Sequence, residues 1–180
     1  TTASNNTAVC NEAMGTNTTG TQNAAFGVAA LILNTTGSYN TALGPYALKV
    51  NTTASNNTAA GWEALVANTT GANNTALGYQ ALGKTTTGGD NIGVGRAAGL
   101  DTTTGTGNTT VGVEALENNV SSDNNTAVGK HAGRDITGAN NVVIGVDAGH
   151  DALTTITSGS NNIVLGNNST SVFEVKVALT

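Results

Sequence analysis

The chain is poor in most of what a globular enzyme uses. Of its 180 residues, 9% are charged and 3% aromatic, with a single proline and a single cysteine. Cys10 alone closes no internal disulfide and leaves the redox compartment unread. Low charge beside 38% hydrophobic residues argues against charge-driven disorder. The six Lys and Arg are scattered and the net charge is −5, so no nucleic-acid partner is expected. The longest apolar run, residues 28–33, is far too short for membrane insertion. No signal peptide is visible, and the chain starts in mid-phrase, as a fragment would. The apolar set is mostly Ala, Val and Leu, so any core must be thin and repetitive.

What the chain does have is a period. Asn recurs every 17 residues, at Asn6, Asn23, Asn40, Asn57, Asn74, Asn91, Asn108 and Asn125, with two further copies at Asn141 and Asn162 after one shortened and one lengthened interval. A fixed step of this size marks a solenoid. Numbered from its Asn, each copy has Ala at position three in most cases and an apolar residue at four. Position five is Gly in nine of ten copies, and position nine is often Leu or Met. Position eight is Ala throughout the first nine, including Ala30, Ala47, Ala64, Ala81, Ala98, Ala115 and Ala132. A phrase such as Asn34-Thr-Thr-Gly follows and reads as a corner.

The opening four positions fit a short strand with alternate residues inward. Gly permits a positive φ or a close backbone approach where the chain bends. Uniform Ala implies a contact that admits only a methyl group. The Asn column predicts a ladder of side-chain amides, each bonded to the Asn one rung above and below, through Asn23, Asn40, Asn57, Asn74, Asn91, Asn108 and Asn125. A helix is excluded, because Thr, Asn and Gly are poor helix formers and no 3.6-residue stripe runs through the repeat. The expected fold is therefore all-β, a solenoid of about ten 17-residue rungs over residues 1–171, with a capping strand at 172–180. Since so few apolar groups serve each rung, the Ala and Gly positions are expected to line a close interface between chains.

Phrases such as Asn74-Thr-Ala-Leu-Gly-Tyr-Gln-Ala-Leu and Asn125-Thr-Ala-Val-Gly-Lys-His-Ala resemble the repeats of bacteriophage tail-fibre proteins. More loosely, they are similar to the Asn-Ser-Val-Ala-Ile-Gly repeats in the heads of trimeric autotransporter adhesins. The resemblance covers nearly the whole chain. It implies a homotrimer of left-handed β-rolls or an interwoven β-prism, in a virion tail fibre or other extracellular fibre that attaches to a cell surface. The final copy, Asn162-Ile-Val-Leu-Gly-Asn-Asn-Ser-Thr, looks like the phrase that closes such regions, often before a self-cleaving chaperone.

Position six varies and is expected to face outward, carrying Pro45, Trp62, Tyr79 and Arg96, with Tyr46 beside it. Flat side chains at about 4.8 Å intervals would suit a glycan or a protein receptor, or would stack on one another from rung to rung. Position seven carries Glu12, Glu63, Glu114 and Asp147 at a spacing that avoids stacked like charges and reads as solvated surface. Asp147, His150 and Asp151 lack the alternating oxygen ligands of a calcium loop, and His131 and His150 have no cysteine near them. No metal and no cofactor are expected.

Two Thr columns, at positions thirteen and fourteen, raise an ice-binding alternative. Adjacent positions in an extended strand point to opposite faces, which weakens it. Asn-X-Thr triplets match glycosylation acceptors and are read as a by-product of the repeat. A polysaccharide-cleaving tailspike needs two acids about 5–9 Å apart. Glu114 and Glu117 are near in sequence, but nothing positions them, and no enzymatic activity is expected.

Overall fold

A computed structural model of the chain describes residues 2–150, 157–167 and 169. Ten three-residue strands follow one another: β1 (Thr7–Val9), β2 (Ala24–Phe26), β3 (Thr41–Leu43), β4 (Thr58–Ala60), β5 (Thr75–Leu77), β6 (Ile92–Val94), β7 (Thr109–Val111), β8 (Thr126–Val128), β9 (Val142–Ile144) and β10 (Ile163–Leu165). They form one parallel sheet in chain order. The fold is a β-solenoid, with one strand in each rung. Each strand from β2 to β9 pairs with the strands before and after it in the same chain, the arrangement of a roll rather than of an interwoven prism.

Register follows the repeat, so Thr41 lies beside Thr58 and Ala42 beside Ala59. It survives both irregular intervals, since Thr126 pairs with Val142 and Val142 with Ile163. The shortened interval loses its residue between β8 and β9, outside the strands. The expected capping strand at 172–180 lies outside the described residues.

Each strand is short because left-handed or glycine-only backbone brackets it. The residue before each Asn is left-handed, as at Asn56 (φ 62), Asn73 (φ 61) and Asp90 (φ 59). Asn and Asp visit this region more readily than other residues with a Cβ. After the strand, Gly61 has φ +140, and a Cβ there would lie 2.4 Å from the carbonyl oxygen of Gly78 on the next rung. Only glycine lets the backbones pass so closely.

Positions seven and nine are also left-handed, including Tyr46 (φ 61), Leu48 (φ 51) and Leu65 (φ 51). Such a conformation costs a non-glycine residue roughly 1–2 kcal/mol. It is over-determined here by inter-rung bonds. Tyr46 N–H donates to Val28 O one rung back, and Leu48 N–H to Ala64 O one rung forward, at 2.9 and 3.0 Å.

The core is inside the single chain. Ala30, Ala47, Ala64, Ala81, Ala98, Ala115 and Ala132 are all fully buried, as are Leu31, Leu48, Leu65 and Leu82 beside them. The expectation that the alanine column lines a contact between chains is therefore corrected: each rung closes over its own alanine. The alanines from Ala30 to Ala81 share one apolar cluster with the leucines beside them.

Two polar columns replace what a larger core would supply. Asn57 shows the first. Its Nδ2 donates to Gly71 O at 3.0 Å, its Oδ1 accepts the Asn74 backbone N–H at 2.9 Å, and its own N–H donates to Asn40 Oδ1 at 3.0 Å. The pattern repeats at Asn23, Asn40, Asn74, Asn91 and Asn108. This differs from the expected amide-to-amide ladder, because the side chain chiefly satisfies backbone groups of its own and the next rung.

Amide-to-amide bonds as expected occur in this column at Asn108 to Asn91, Asn141 to Asn125 and Asn162 to Asn141, and a second ladder of them stands at position twelve. Asn34 Nδ2 donates to Asn17 Oδ1 at 2.8 Å, Asn51 Nδ2 to Asn34 Oδ1 at 2.9 Å, and Asn68 Nδ2 to Asn51 Oδ1 at 3.0 Å. These residues are sealed from solvent from Asn34 onward, so their Asn-X-Thr triplets offer no acceptor in the folded chain.

Candidate functional site

With positions one, three, eight and nine facing inward, chemistry is left to the outward positions. Trp62 and Tyr79 stack, with ring centroids 5.0 Å apart and planes 16° from parallel. Both are substantially exposed. The facing surfaces of the two rings are occupied by each other, which favours the rung-to-rung reading for that contact. Edges and outer faces remain for a ligand. Beneath them Gln80 Nε2 donates to Glu63 Oε2 at 2.8 Å. Tyr46 lies one rung back, and the Lys49 Nζ sits 5.1 Å from its ring centroid, within cation–π range.

Arg96, the fourth candidate, turns to a different partner. Its Nη2 donates to Glu114 Oε1 at 2.5 Å and so leads into a charged cluster. His131 Nε2 is 3.1 Å from Glu114 Oε2, and His131 Nδ1 is 2.8 Å from Asp147 Oδ1. Arg134 Nε reaches Glu117 Oε2 at 2.8 Å, and its Nη1 stands 3.7 Å from Glu114 Oε2. His150 Nδ1 lies 2.6 Å from Asp135 Oδ2. The hydrogen bond from Arg96 holds the Glu114 carboxyl below its ordinary value of 4.5; desolvation opposes this, and the charges of Arg96, Arg134 and His131 reinforce it.

This arrangement bears on two chemistries. A general acid for glycoside cleavage needs a raised pKa. Glu114 is shifted the other way, and both it and Glu117 are engaged by Arg134. For a metal, His131 stands between Glu114 and Asp147 and directs a different nitrogen to each, so the two carboxylates do not converge on one point. Among the described residues no group of three His, Cys, Asp or Glu side chains is placed to hold a metal ion. Asp151, from the calcium candidate, lies outside the described residues. No described helix is long and apolar enough to cross a membrane.

The Thr columns divide as well. At position thirteen, Thr35 Oγ1 donates to Thr52 O at 3.0 Å and Thr52 Oγ1 to Thr69 O at 3.1 Å, so these hydroxyls are engaged by the next rung. At position fourteen, Thr36, Thr53, Thr70 and Thr87 are exposed. One hydroxyl column, rather than a two-dimensional array, faces water there.

The sequence reading passed over one outward feature, the strand face itself. Positions two and four point out of the sheet, and position four carries exposed Val9, Phe26, Leu43, Leu77, Val111 and Ile144. The alternation itself was legible, but which alternate positions of the strand face inward was not assigned. Compared with protein-family models, curated proteins and solved structures, the chain matches none.

Proposed function

We propose that this chain is a non-enzymatic structural and adhesive fibre segment. A phage tail-fibre shaft or receptor-binding region, homotrimeric and carried on a virion or another extracellular surface, is the form that fits best. The observation that carries this reading is the division of each rung. Inward positions one and eight are Asn and Ala in each of the first nine rungs, while positions six, seven, ten and eleven vary among apolar, aromatic and charged residues. A scaffold of constant rise that displays variable side chains suits a spacer and a contact surface.

The contact would be a cell-surface glycan or protein, with Tyr46, Trp62, Tyr79 and Arg96 the residues to test first. Aromatic edges beside amide, carboxylate and guanidinium groups supply both the apolar and the hydrogen-bonding halves of sugar or protein recognition. The ice-binding alternative rests on the exposed Thr column alone, and thermal hysteresis tests it directly.

The adhesive part is tested with Trp62→Ala and Tyr79→Ala, singly and together, with circular dichroism as the folding control. The expected result is at least about tenfold weaker adsorption to host cells or glycan surfaces, the loss of about 1.4 kcal/mol. Unchanged adsorption by a folded double variant would remove these residues from the contact.

A further inference from the structure

We infer that the outer face of the sheet is a self-association surface, on which further copies of this chain dock rung against rung. The inference rests on the multi-chain reading above and names the face that such an assembly would use, one different from the alanine column the sequence suggested.

The face is continuous. Position four is apolar in all ten rungs, and neither position two nor position four carries a charge in any of them. Phe26 is 42% exposed, Leu43 43%, Leu77 39% and Ile144 43%. Charges occur at positions six, seven, ten, eleven, sixteen and seventeen, and so border the strand without entering it. Scattered exposed hydrophobics are ordinary on a protein surface; a single unbroken file along a whole sheet is not.

Its size suits a macromolecular contact. Nine steps of about 4.8 Å give a strip roughly 43 Å long, and the three-residue strands, positions two to four, span about 10 Å. The plan area is on the order of 430 Å², the size of the largest apolar patches on monomers, which are often functional.

Its periodicity identifies the occupant. A partner that covers the strip must offer an apolar group at each of ten successive rungs. A globular protein or a short peptide matches that rise over a few steps at most. Another copy of this chain matches it throughout, because its own position four has the same spacing. Unlike the alanine column, these side chains are left partly exposed by the described residues, so the apolar area they expose is available to drive association.

The test uses the full chain, with mass measured by sedimentation or light scattering at micromolar concentration. Three variants are compared with the wild type. The face variant is Leu43→Lys/Leu77→Lys/Val111→Lys. A milder face variant, Leu43→Ser/Leu77→Ser/Val111→Ser, covers the case in which the lysines prevent folding. The control, Thr53→Lys/Thr70→Lys/Thr87→Lys, adds the same charge on the exposed Thr column. The inference expects an oligomeric wild type, an oligomeric control, and a face variant that keeps its β circular-dichroism spectrum while its mass falls to that of one chain. A folded face variant that stays oligomeric overturns the assignment of this face and leaves the multi-chain reading standing. A monomeric wild type overturns both.

Discussion

The two halves of the rod solve one packing problem with different parts. In the rungs from Asn23 to Gly83, Leu31, Leu48, Leu65 and Leu82 form a file with the alanines in one apolar cluster, and Lys49 and Glu63 are the only charged residues. From Lys84 to His150 the leucine file is broken by Gly99, Gly133 and Gly149, and eleven charged residues appear. A second cluster begins at Ala115 and takes in Leu116, Ile136 and Val143. The sixth rung, with Gly93, Gly99 and Thr102, falls between the clusters.

The exchange has a local logic. Glycine at position nine relieves the left-handed strain that leucine bears there, at Gly99 (φ 61) and Gly133 (φ 59), but it leaves the core short of a side chain. In the eighth rung Ile136 fills that space from position twelve, its Cδ1 lying 2.7 Å from where a Cβ on Gly133 would be. Doing so removes the ladder asparagine. In the fifth and sixth rungs Thr85 and Thr102 stand in the ladder instead, and their hydroxyls, like Asn68 Oδ1, are buried without a hydrogen-bond partner. Ion pairs through Glu114, His131 and Arg134 then link successive rungs of the second half from outside. Surface pairs of this kind contribute little singly, about 0–1 kcal/mol. The regular half should be the more stable one.

Removing one position-one asparagine from each half has the largest expected effect. Asn57→Ala strips partners from the Asn74 N–H and the Gly71 carbonyl, both supplied by one buried side chain. The expected loss is about 3 kcal/mol. Asn125 lies where the interval shortens, and its Nδ2 already lacks a partner. Asn125→Ala should therefore cost less, about 1–2 kcal/mol. Denaturant unfolding of the two variants measures the difference, and equal losses would mean that this column does not set the contrast.

A smaller effect should come from repairing the junction. Thr85→Asn/Thr102→Asn would continue the amide ladder from Asn68 to Asn119. The double variant should gain about 1 kcal/mol of stability. Each single variant should gain less, since it leaves one ladder end open. A double variant less stable than either single would show that the rungs around Gly99 do not accept the larger amide.

The smallest effect is electrostatic. The folded chain holds Glu114 below its ordinary value of 4.5, so its carboxylate is favoured by folding. Its stabilising contribution is complete above that value and is lost as pH falls through the lower folded value. Glu114→Gln should lower the thermal midpoint near neutral pH, and the gap from wild type should narrow as pH falls below 4.5. A gap that does not change with pH would assign the loss to packing instead.

The period was legible because a 17-residue recurrence becomes a stack of columns directly, and Asn, Ala and Gly at constant offsets named the buried ones. Ala64 and its equivalents were assigned to a contact between chains because a second buried face was weighed above the ladder hydrogen bonds. Bonds such as Asn57 to Gly71 O and Asn51 to Asn34 supply much of what that comparison ranked second. The position-twelve ladder was hidden inside Asn34-Thr-Thr-Gly, which reads as a turn; its signal was a second Asn at fixed offset. Left-handed Leu48 and Leu65 carry no local signal at all, whereas Asn56, Asn73 and Asp90 before the strand do. Position-seven acids were read as spaced to avoid repulsion. Arg96, His131 and Arg134, which stand against Glu114, were not placed beside it by any motif.

Hydrogen exchange resolved by residue most directly tests whether each chain closes its own stacked columns. The backbone N–H groups of Asn40, Asn57 and Asn74, donated to the Asn side chain one rung back, should exchange among the slowest in the molecule. Those around Gly93, Gly99 and Thr102 should open earlier. Exchange of the Asn40, Asn57 and Asn74 groups at the rate of an unfolded chain, in a protein that is otherwise folded, would contradict the stacked-column structure.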